Sequence, residues 1–395
     1  MASPLEGLRV IEMGQLIAGP MAGRMLAEFG ADVIKIEPPG KGDPLRKWRM
    51  LHEGTSVWWA AQSRNKRSIT LDLRQEDGQK IARSLLKSAD VLIENFRPGT
   101  LEKWGLSWEK LHELNPRLVV LSVSGYGQTG PYRDRPGFGV IGEAMGGLRH
   151  LSGEPGRTPV RVGISIGDSL SALHGVIGIL LALRHRDESG EGQQIDVALY
   201  ESVFNMMESL IPEYSVFDQV RQPAGSSLPG IAPTNAYLCR DGKYALIAGN
   251  GDSIFQRLMQ IIERPDLAND PSLAHNDGRV KQVEMLDAAI SEWTSSRSLA
   301  SVLASLTEGG IPAGKIYDAA DIANDPHYQA RDMLLKANLP DGTPVTLPGV
   351  VPKLLSTPGT VRTQAPQLGE HTAEILAELG FTASDVAHLQ SKGAI

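Results

Sequence analysis

Short β-rich runs alternate with amphipathic helical segments through the first half of the chain. Each run is nearly continuously apolar, which is typical of strands whose two faces are both covered by helices. The runs are LRVIEM at 8–13, DVIKIE at 32–37, SITLDL at 68–73, DVLIENF at 90–96 and LVVLSVSG at 118–125. This alternation predicts βαβ units, and hence an α/β protein with a mostly parallel sheet and helices on both of its faces.

The second half of the chain is divided by a segment rich in Pro, Gly and Ser, which is typical of a linker. An apolar helix is predicted at 169–186, before this segment. After it, two further β-rich runs and helices near 252–262 and 281–307 predict a small α+β domain. We therefore expect a large domain at 1–205, a linker at 206–232, a small domain at 233–325, and a linker and C-terminal segment at 326–395 that returns to the large domain.

The length of 395 residues agrees with two domains, because a single hydrophobic core stops growing at roughly 250 to 300 residues. A formal net charge of −7 leaves no broad cationic face, so nucleic acid is not an expected partner. The single cysteine excludes an intramolecular disulfide framework, and we expect a cytoplasmic protein without an export signal. The longest uncharged apolar run, at 175–183, covers about half of a membrane-spanning helix. It predicts a buried helix and no membrane partner.

The chain lacks the sequence motifs of nucleotide-binding sites, metal sites and serine hydrolases. The turn at 13–20, MGQLIAGP, does not have the glycine spacing of a dinucleotide site, and the chain contains no P-loop sequence. The nine histidines are scattered without an H-E-x-x-H, so no metal site is expected. A serine hydrolase is disfavoured because no G-x-S-x-G is present.

One carboxylate stands at a position that fits two roles. In the stretch GISIGDSLSALHGVIGILLAL, Asp168 lies where a short strand-like run meets an apolar helix. Asp is a favoured N-cap residue, which is a purely structural role. A helix N-terminus also keeps a carboxylate ionised, as a covalent nucleophile requires. Spacing alone leaves both roles open.

Two loops dense in glycine, at 124–147 and 245–253, are suited to close approach of the backbone to a ligand. Plain tight turns explain either loop equally well.

Taken together, these segments resemble one known family. The segments LRVIEMGQLIAGP, ADVIKIEPPGKGDPLR, NKRSITLDL, ENFRPG, SGYGQTGP and GDSLSALHGVIGILLAL follow the order found in the family III CoA-transferases. That family includes formyl-CoA transferase and is related to α-methylacyl-CoA racemase. The loop AGNGDS and the C-terminal LGEHTAEIL extend the resemblance over nearly the whole chain. It implies a Rossmann-like large domain, a small α+β domain, and a homodimer built as two interlocked rings.

The resemblance assigns Asp168 as the nucleophile. Its carboxylate would attack the donor thioester to form a mixed anhydride, which the CoA thiolate converts to an aspartyl-CoA thioester. The acceptor carboxylate then repeats these steps in reverse. The implied substrates are acyl-CoA thioesters and carboxylic acids, and no tightly bound cofactor is implied.

The resemblance also implies binding residues. Those for CoA are Gln15, Leu16, Ile17, Ala18, Leu71, Arg74, Asn95, Phe96, Arg97, Lys103 and Phe138. Those for the acyl group are Trp48, Trp58, Gly249, Asn250 and Gly251. The three cations among them suit phosphate groups, and equally suit solvated surface positions.

The chain departs from two branches of the family. Phe138 stands where the racemases have a catalytic histidine, and a racemase needs both an acid and a base. Pro38 and Ile17 replace polar residues of formyl-CoA transferase. The glycine loop and LGEHT resemble the succinyl-CoA:dicarboxylate transferases more than the formyl branch. A CoA-transferase is therefore expected, with a racemase-like acyl-CoA isomerase and a non-catalytic acyl-CoA-binding protein as alternatives.

A basic loop offers candidates for reading a second carboxylate on the substrate. Arg46, Lys47 and Arg49 bracket Trp48 in PLRKWRM. One of them pairing with a distal carboxylate would explain a preference for dicarboxylic acids. All three fit solvated loop charges equally well.

Overall fold

The computed structural model describes residues 3–395, which form two compact units. The large unit contains the residues up to Arg149, Val162–Ser215 and His327–Ile395, and the small unit contains His150–Arg161 and Val216–Pro326. The segment 150–161 lies in the range that we assigned to the large domain, but it bonds within the small unit. For example, the Gly225 amide donates to the Gly153 carbonyl at 3.0 Å. The domain boundaries expected from the sequence otherwise stay predictions.

The described residues form thirteen strands and nineteen α-helices, numbered here along the chain. The strands are β1 Arg9–Glu12, β2 Asp32–Glu37, β3 Leu51–His52, β4 Thr55–Ser56, β5 Lys66–Thr70, β6 Val91–Glu94, β7 Val119–Ser124, β8 Gln194–Ala198, β9 Thr234–Leu238, β10 Tyr244–Ala248, β11 Ala313–Lys315, β12 Leu334–Asn338 and β13 Pro344–Pro348. The helices are α1 Ala18–Glu28, α2 Val57–Gln62, α3 Glu76–Leu86, α4 Thr100–Lys103, α5 Trp108–Leu114, α6 Gly139–Met145, α7 Leu148–Leu151, α8 Ile166–Ser189, α9 Leu199–Phe204, α10 Leu210–Phe217, α11 Asp252–Ile261, α12 Pro265–Ala268, α13 Asn276–Lys281, α14 Val283–Ser295, α15 Leu299–Glu308, α16 Ala319–Asn324, α17 Pro326–Ala330, α18 Thr372–Glu378 and α19 Ala383–Ser391.

The large unit is built on a six-stranded sheet in the order β5-β2-β1-β6-β7-β8, with every neighbouring pair parallel. The predicted α/β class with a large parallel sheet is confirmed. The strand predicted at 68–73 instead ends at Thr70, because Asp72 bonds back to the following turn and leaves the ladder. The edge strand β8 was not assigned from the sequence, since its polar residues Gln194 and Asp196 break the apolar run.

Helices cover both faces of the sheet and create two separate cores. Helices α1 and α8 enclose one core, and α3, α5, α18 and α19 enclose the other. Val10 and Ile11 are neighbours in β1 and fully buried, yet they belong to opposite cores because successive strand residues face opposite sides. Leu376 of α18 is fully buried in the second core, so the C-terminal segment is part of the large unit.

The strand order changes direction beside β1. The chain runs from β1 to β2 and β5 on one side, and then crosses to β6, β7 and β8 on the other. In open α/β sheets, ligands bind outside the carboxyl ends of the strands at such a switch point. The loops that follow β1 and β6 are therefore the expected walls of a binding site.

Helix α8 begins earlier than the sequence indicated. Its N-cap is Ser165, and Asp168 is the third residue of the first turn. The interpretation of Asp168 as the cap is therefore wrong, because its backbone is already helical. The apparent turn at Gly167 is the second helical residue.

Helix α8 is long and apolar enough to cross a membrane by length and composition alone, with a mean hydropathy of 1.7 over its most apolar stretch. One such helix is weak grounds for a membrane span, since a core helix passes the same test. In the large unit α8 packs on β7, β8 and α1. Its opposite face, with Leu173, Ile177, Leu180 and Leu181, is exposed, so the prediction of a buried helix is wrong for this face.

The small unit has a three-stranded antiparallel sheet in the order β11-β10-β9, which shares one core with helices α11, α12, α14 and α15. The fully buried Arg279 ties the loop between β10 and α11 to the rest of this unit. Its guanidinium donates to the Asn250 carbonyl and to Asp252, both at 2.7 Å.

Candidate active site

A small cavity lies at the switch point of the large unit. Its volume of about 170 Å³ is enough for several water molecules or a small organic acid. Nine of the residues predicted for the site line it together. They are Gln15, Leu16, Ile17, Ala18, Asn95, Phe96, Arg97, Phe138 and Asp168.

Asp168 enters this cavity from the first turn of α8 and is half-buried. Its carboxylate packs on Gly139, the first residue of α6, and a Cβ at position 139 would collide with it. Only glycine at 139 leaves room for the carboxylate in this position. The first turn of a long helix also favours the ionised form of an acid.

Asn95 joins the two loops that form the cavity walls. The Gln15 amide donates to its Oδ1 at 2.7 Å, and its Nδ2 donates back to the Gln15 carbonyl at 2.8 Å. The next residue, Leu16, has a φ of +64° and donates its amide to Asp43 at 3.0 Å. Side chains from elsewhere in the chain thus hold the loop after β1.

Glu94 ends β6 directly before these residues and is almost fully buried. Its carboxyl accepts a hydrogen bond from the Phe96 amide at 2.8 Å. Burial raises the pKa of Glu94 to about 7, although the bonds from Ser122 and Phe96 oppose the shift. Glu94 does not itself line the cavity of Asp168, so this buried carboxyl group with its raised pKa lies beside the site, directly before the loop that lines it.

Three predicted CoA residues lie outside the cavity. The Leu71 side chain belongs to the hydrophobic core, which leaves only its backbone for a ligand. Arg74 is exposed and forms a bidentate pair with Asp72, with the Nε atom 2.9 Å from Oδ1. Lys103 is exposed at the end of α4.

The predicted acyl-group tryptophans form an aromatic pair, in which Trp48 is exposed and Trp58 is half-buried. The ring centroids of Trp48 and Trp58 are 6.5 Å apart, and the Arg49 guanidinium lies 4.6 Å from the Trp58 ring. Neither tryptophan lines the cavity that contains Asp168.

The structure excludes Arg46 as a partner for a substrate carboxylate. Its guanidinium is buried, forms a bidentate pair with Glu37 at 2.7 and 2.8 Å, and stacks on Trp59. The neighbouring Lys47 donates to the Gly54 carbonyl at 2.6 Å. The expectation for Arg46 is wrong, because an internal acid already satisfies it.

The predicted glycine loop lies in the small unit. Gly249 packs against Leu258 so closely that a Cβ would displace it. Asn250 is held through its carbonyl by Arg279, and Gly251 precedes α11. The loop is thus rigidly attached to its own unit.

Two arginines of the cavity were missed from the sequence. Arg133 and Arg135, in the loop after β7, line the cavity together with Asp168. Within residues 3–395, the buried Nε of Arg133 has no hydrogen-bond partner, and the Arg135 guanidinium stacks on Tyr132 at 3.7 Å. The signal was the pair of arginines in PYRDRPG, inside a loop noted only for its glycines.

The glycines of that loop have a steric role. A Cβ on Gly125 would lie 2.9 Å from the Cα of Gly137, so the two backbone segments touch beside the cavity. This contact folds the loop back and carries its arginines to the site.

A larger cavity, about 900 Å³, lies elsewhere in the large unit, between the loop of residues 40–60 and the C-terminal segment 335–368. It does not include Asp168. We place the chemistry in the smaller cavity, because the candidate nucleophile is there. Among residues 3–395, no group of acidic, histidine and cysteine side chains is arranged to hold a metal ion.

Fold and site together define an α/β transferase-like protein, with a helix-borne carboxylate beside arginines at the switch point of a parallel sheet. The profile of CoA-transferase family III matches residues 5–372. The chain belongs to this family and is a CoA-transferase, which confirms the resemblance drawn from its motifs.

Relatives match along nearly the full length of the chain. The succinyl-CoA–D-citramalate CoA-transferase of Chloroflexus aurantiacus is 48% identical over 99% of this chain and 98% of its own. The succinyl-CoA–L-malate CoA-transferase beta subunit of the same organism is 44% identical, with the same coverage of 99% and 98%. A CaiB/BaiF family protein from Brucella suis, known from its crystal structure, has a TM-score of 0.84 at 37% identity, over 96% of this chain and 100% of that one.

Replacing Glu94 by Gln should change how stability depends on pH. With a folded-state pKa of about 7 against an ordinary 4.5, native Glu94 keeps its proton between these values while the unfolded chain loses it. Stability from this group is therefore complete below about pH 4.5 and is lost as the pH rises toward 7. Glu94→Gln should gain on the order of 3 kcal/mol relative to wild type between pH 4 and 8, measured by urea unfolding. The exposed Glu113→Gln in α5 is the control, because Glu113 is not among the groups that shift the pKa of Glu94. A difference that does not vary with pH would refute the prediction.

Proposed function

We propose that this CoA-transferase moves CoA from succinyl-CoA, or another dicarboxylyl-CoA, to a dicarboxylic acid. The two relatives from Chloroflexus are described as acting on D-citramalate and L-malate with succinyl-CoA, and all three acids are dicarboxylic. The cavity, with its volume of about 170 Å³ and its arginines, is suited to an acid of that size. The observation that carries the proposal is Asp168 in this cavity, with its carboxylate in the space that a side chain at Gly139 would fill.

The proposed reaction exchanges carboxylates and thiolates only. The Asp168 carboxylate attacks the thioester carbonyl, and the CoA thiolate leaves to give a mixed anhydride. The thiolate then attacks the Asp168 carbonyl, releasing the donor acid as its carboxylate. The acceptor carboxylate attacks the resulting aspartyl-CoA thioester, and the expelled thiolate takes the acyl group from the second anhydride. No proton changes hands, so the site needs a positioned nucleophile and not an acid-base pair.

The residues that line the cavity argue against racemisation. A racemase needs an acid and a base on opposite sides of the α-carbon. Phe138 occupies one wall of the cavity and can serve as neither.

The proposed contacts for CoA in the loops around Asp168 are Arg97 and the region of Asn95. Arg74 and Lys103 are proposed to bind its phosphates farther out. The cytoplasmic location expected from the sequence stays a prediction.

Replacing Asp168 by Asn should abolish CoA transfer. The amide keeps the volume and the polarity of the side chain but cannot form the anhydride. Turnover should fall by far more than the tenfold that corresponds to about 1.4 kcal/mol of barrier, while binding of CoA changes little. Turnover of succinyl-CoA with a panel of carboxylic acids, read by mass spectrometry, provides the measurement. Retention of about a tenth or more of the rate would rule out covalent catalysis by this residue.

We propose that Arg133 reads the distal carboxylate of the acceptor. It shares a small cavity with Asp168, so it lies near the acyl end of the substrate, and its Nε lacks a hydrogen-bond partner within residues 3–395. Arg135 is the less suited neighbour because Tyr132 already engages its guanidinium.

Arg133→Met should lower kcat/KM for a dicarboxylic acceptor about tenfold or more, and for the matching monocarboxylic acid much less. The methionine keeps most of the apolar stem but removes the charge. The exposed Arg331→Met, elsewhere in the large unit, serves as the control. An equal loss with both acids would show that Arg133 does not distinguish them.

We propose that the native particle is an interlocked homodimer. The exposed face of α8 repeats apolar residues at Leu173, Ile177, Leu180 and Leu181, a spacing that forms one continuous helix stripe. Exposed apolar patches of this kind mark protein interfaces. The L-malate relative is described as a beta subunit, so assembly with a second type of chain is the alternative.

Sedimentation velocity of the purified chain should give a dimer, and Leu181→Asp should shift the particle toward monomer. A buried charge at an apolar interface is costly when unpaired. Leu355→Asp, at a leucine that is 96% exposed and outside this face, should leave the dimer intact. A wild-type monomer with full activity would contradict the proposal.

A further inference from the structure

The loop after β1 contains a residue in a conformation that its side chain disfavours. Leu16, with φ at +64°, lies in the left-handed region, where residues other than glycine are strained. It lines the same cavity as Asp168. Such strain persists only where the surroundings determine the backbone, and it concentrates at functional sites.

Three buried side chains hold this loop at three points. Asp43 accepts hydrogen bonds from the amide of the strained leucine at 3.0 and 3.2 Å. Lys35 donates to the Gly14 carbonyl at 2.8 Å, before the leucine. Lys66 donates to the Pro20 carbonyl at 2.7 Å, after it. The loop is therefore fixed at its middle and on both sides.

The holding groups are bonded to one another through a fourth residue. Glu12 contacts Lys35 at 2.8 Å through one oxygen and Lys66 at 2.7 Å through the other, while Lys35 also contacts Asp43 at 2.9 Å. All four side chains are between 0% and 1% exposed. We call Glu12, Lys35, Asp43 and Lys66 the clamp. The clamp contains two acidic and two basic side chains, so their formal charges cancel.

Asp43 is itself fixed by further bonds. Its Oδ1 accepts from the Leu45 amide at 2.8 Å, and its own amide donates to Glu37 at 2.9 Å. Burial would raise the pKa of the Asp43 carboxyl, but Lys35 and the backbone amides outweigh it and lower the pKa below its usual value. The group that holds the leucine is therefore an anion, and its hydrogen bonds are charge-assisted.

We propose that the clamp is a positioning device for CoA transfer, in which Asp43 holds Leu16 in its left-handed conformation and so sets the cavity wall facing the Asp168 carboxylate. This inference rests on the proposed function. None of the four clamp residues lines the cavity, so each acts through the loop and not on substrate.

The test is whether the effect of removing the Asp43 charge depends on the residue at position 16. Asp43→Asn keeps the volume and one acceptor oxygen but loses the charge. In the wild-type background, kcat should fall about tenfold, with a smaller change in KM for succinyl-CoA.

The same substitution is then made beside Leu16→Gly and, as a matched control, beside Leu16→Ala. Glycine adopts a positive φ without strain, so Asp43→Asn should cost less than about threefold in the glycine background. Alanine also lacks the leucine side chain but keeps the strain, so there the cost should remain about tenfold. This comparison separates the backbone conformation from the loss of the leucine side chain.

The outcomes distinguish the clamp from the proposed function. Equal losses in all three backgrounds, or losses that follow urea stability, would overturn the positioning role and leave CoA transfer standing. A wild-type protein that transfers no CoA would overturn both. Hydrogen exchange of the peptide containing residues 13–20 supplies a second readout: the clamp requires faster exchange in Asp43→Asn than in wild type, and unchanged exchange would contradict it.

Discussion

The site depends on a set of buried opposite charges between β1, β2 and β5. Taking ions out of water costs several kcal/mol each, and only close pairing and hydrogen bonding offset that cost. Here Glu12, Lys35, Asp43 and Lys66 pair with one another. Asp43 also binds the Leu16 amide, and Lys35 and Lys66 bind backbone carbonyls before and after it. The network therefore converts electrostatic attraction into a fixed loop position. Removing any one partner would leave a buried charge less well compensated.

The proposed CoA transfer requires few functional side chains, but it requires them to be placed accurately. Exchange of carboxylates and thiolates needs a nucleophile in the right position and a cavity of matching size, and the rate gain comes from orientation. In the proposed mechanism Asp168 is that nucleophile, and Gly139 leaves space for its carboxylate. The arginines of the loop after β7 line the same cavity and are the proposed partners of an acidic substrate.

Much of the fold and of the candidate site could be predicted from local sequence patterns. The apolar runs and their spacing indicated a parallel sheet, and the ordered motifs indicated the family. Errors arose where a pattern ended at a polar residue. Strand β8 was not predicted because Gln194 and Asp196 interrupt its apolar run, and the cap role left open for Asp168 is wrong because Gly167, which resembled a turn, is helical. Both are local ambiguities, since a glycine is compatible with a turn and with a helix. Nine predicted residues share one cavity, but Leu71, Arg74 and Lys103 do not line it.

The sequence by itself determined the order of strands and helices, the family and the candidate nucleophile, because these depend on periodicity and on local motifs. Only the tertiary structure decided which charges are available. Arg46 is paired with Glu37. Arg133 instead lines the cavity, and its Nε has no hydrogen-bond partner among the described residues. The strain at Leu16 was equally invisible in the sequence, since it exists through the hydrogen bonds from its amide to Asp43. Such pairings depend on distances of a few ångströms between separate segments, and only the packing of the sheet and its loops sets those distances.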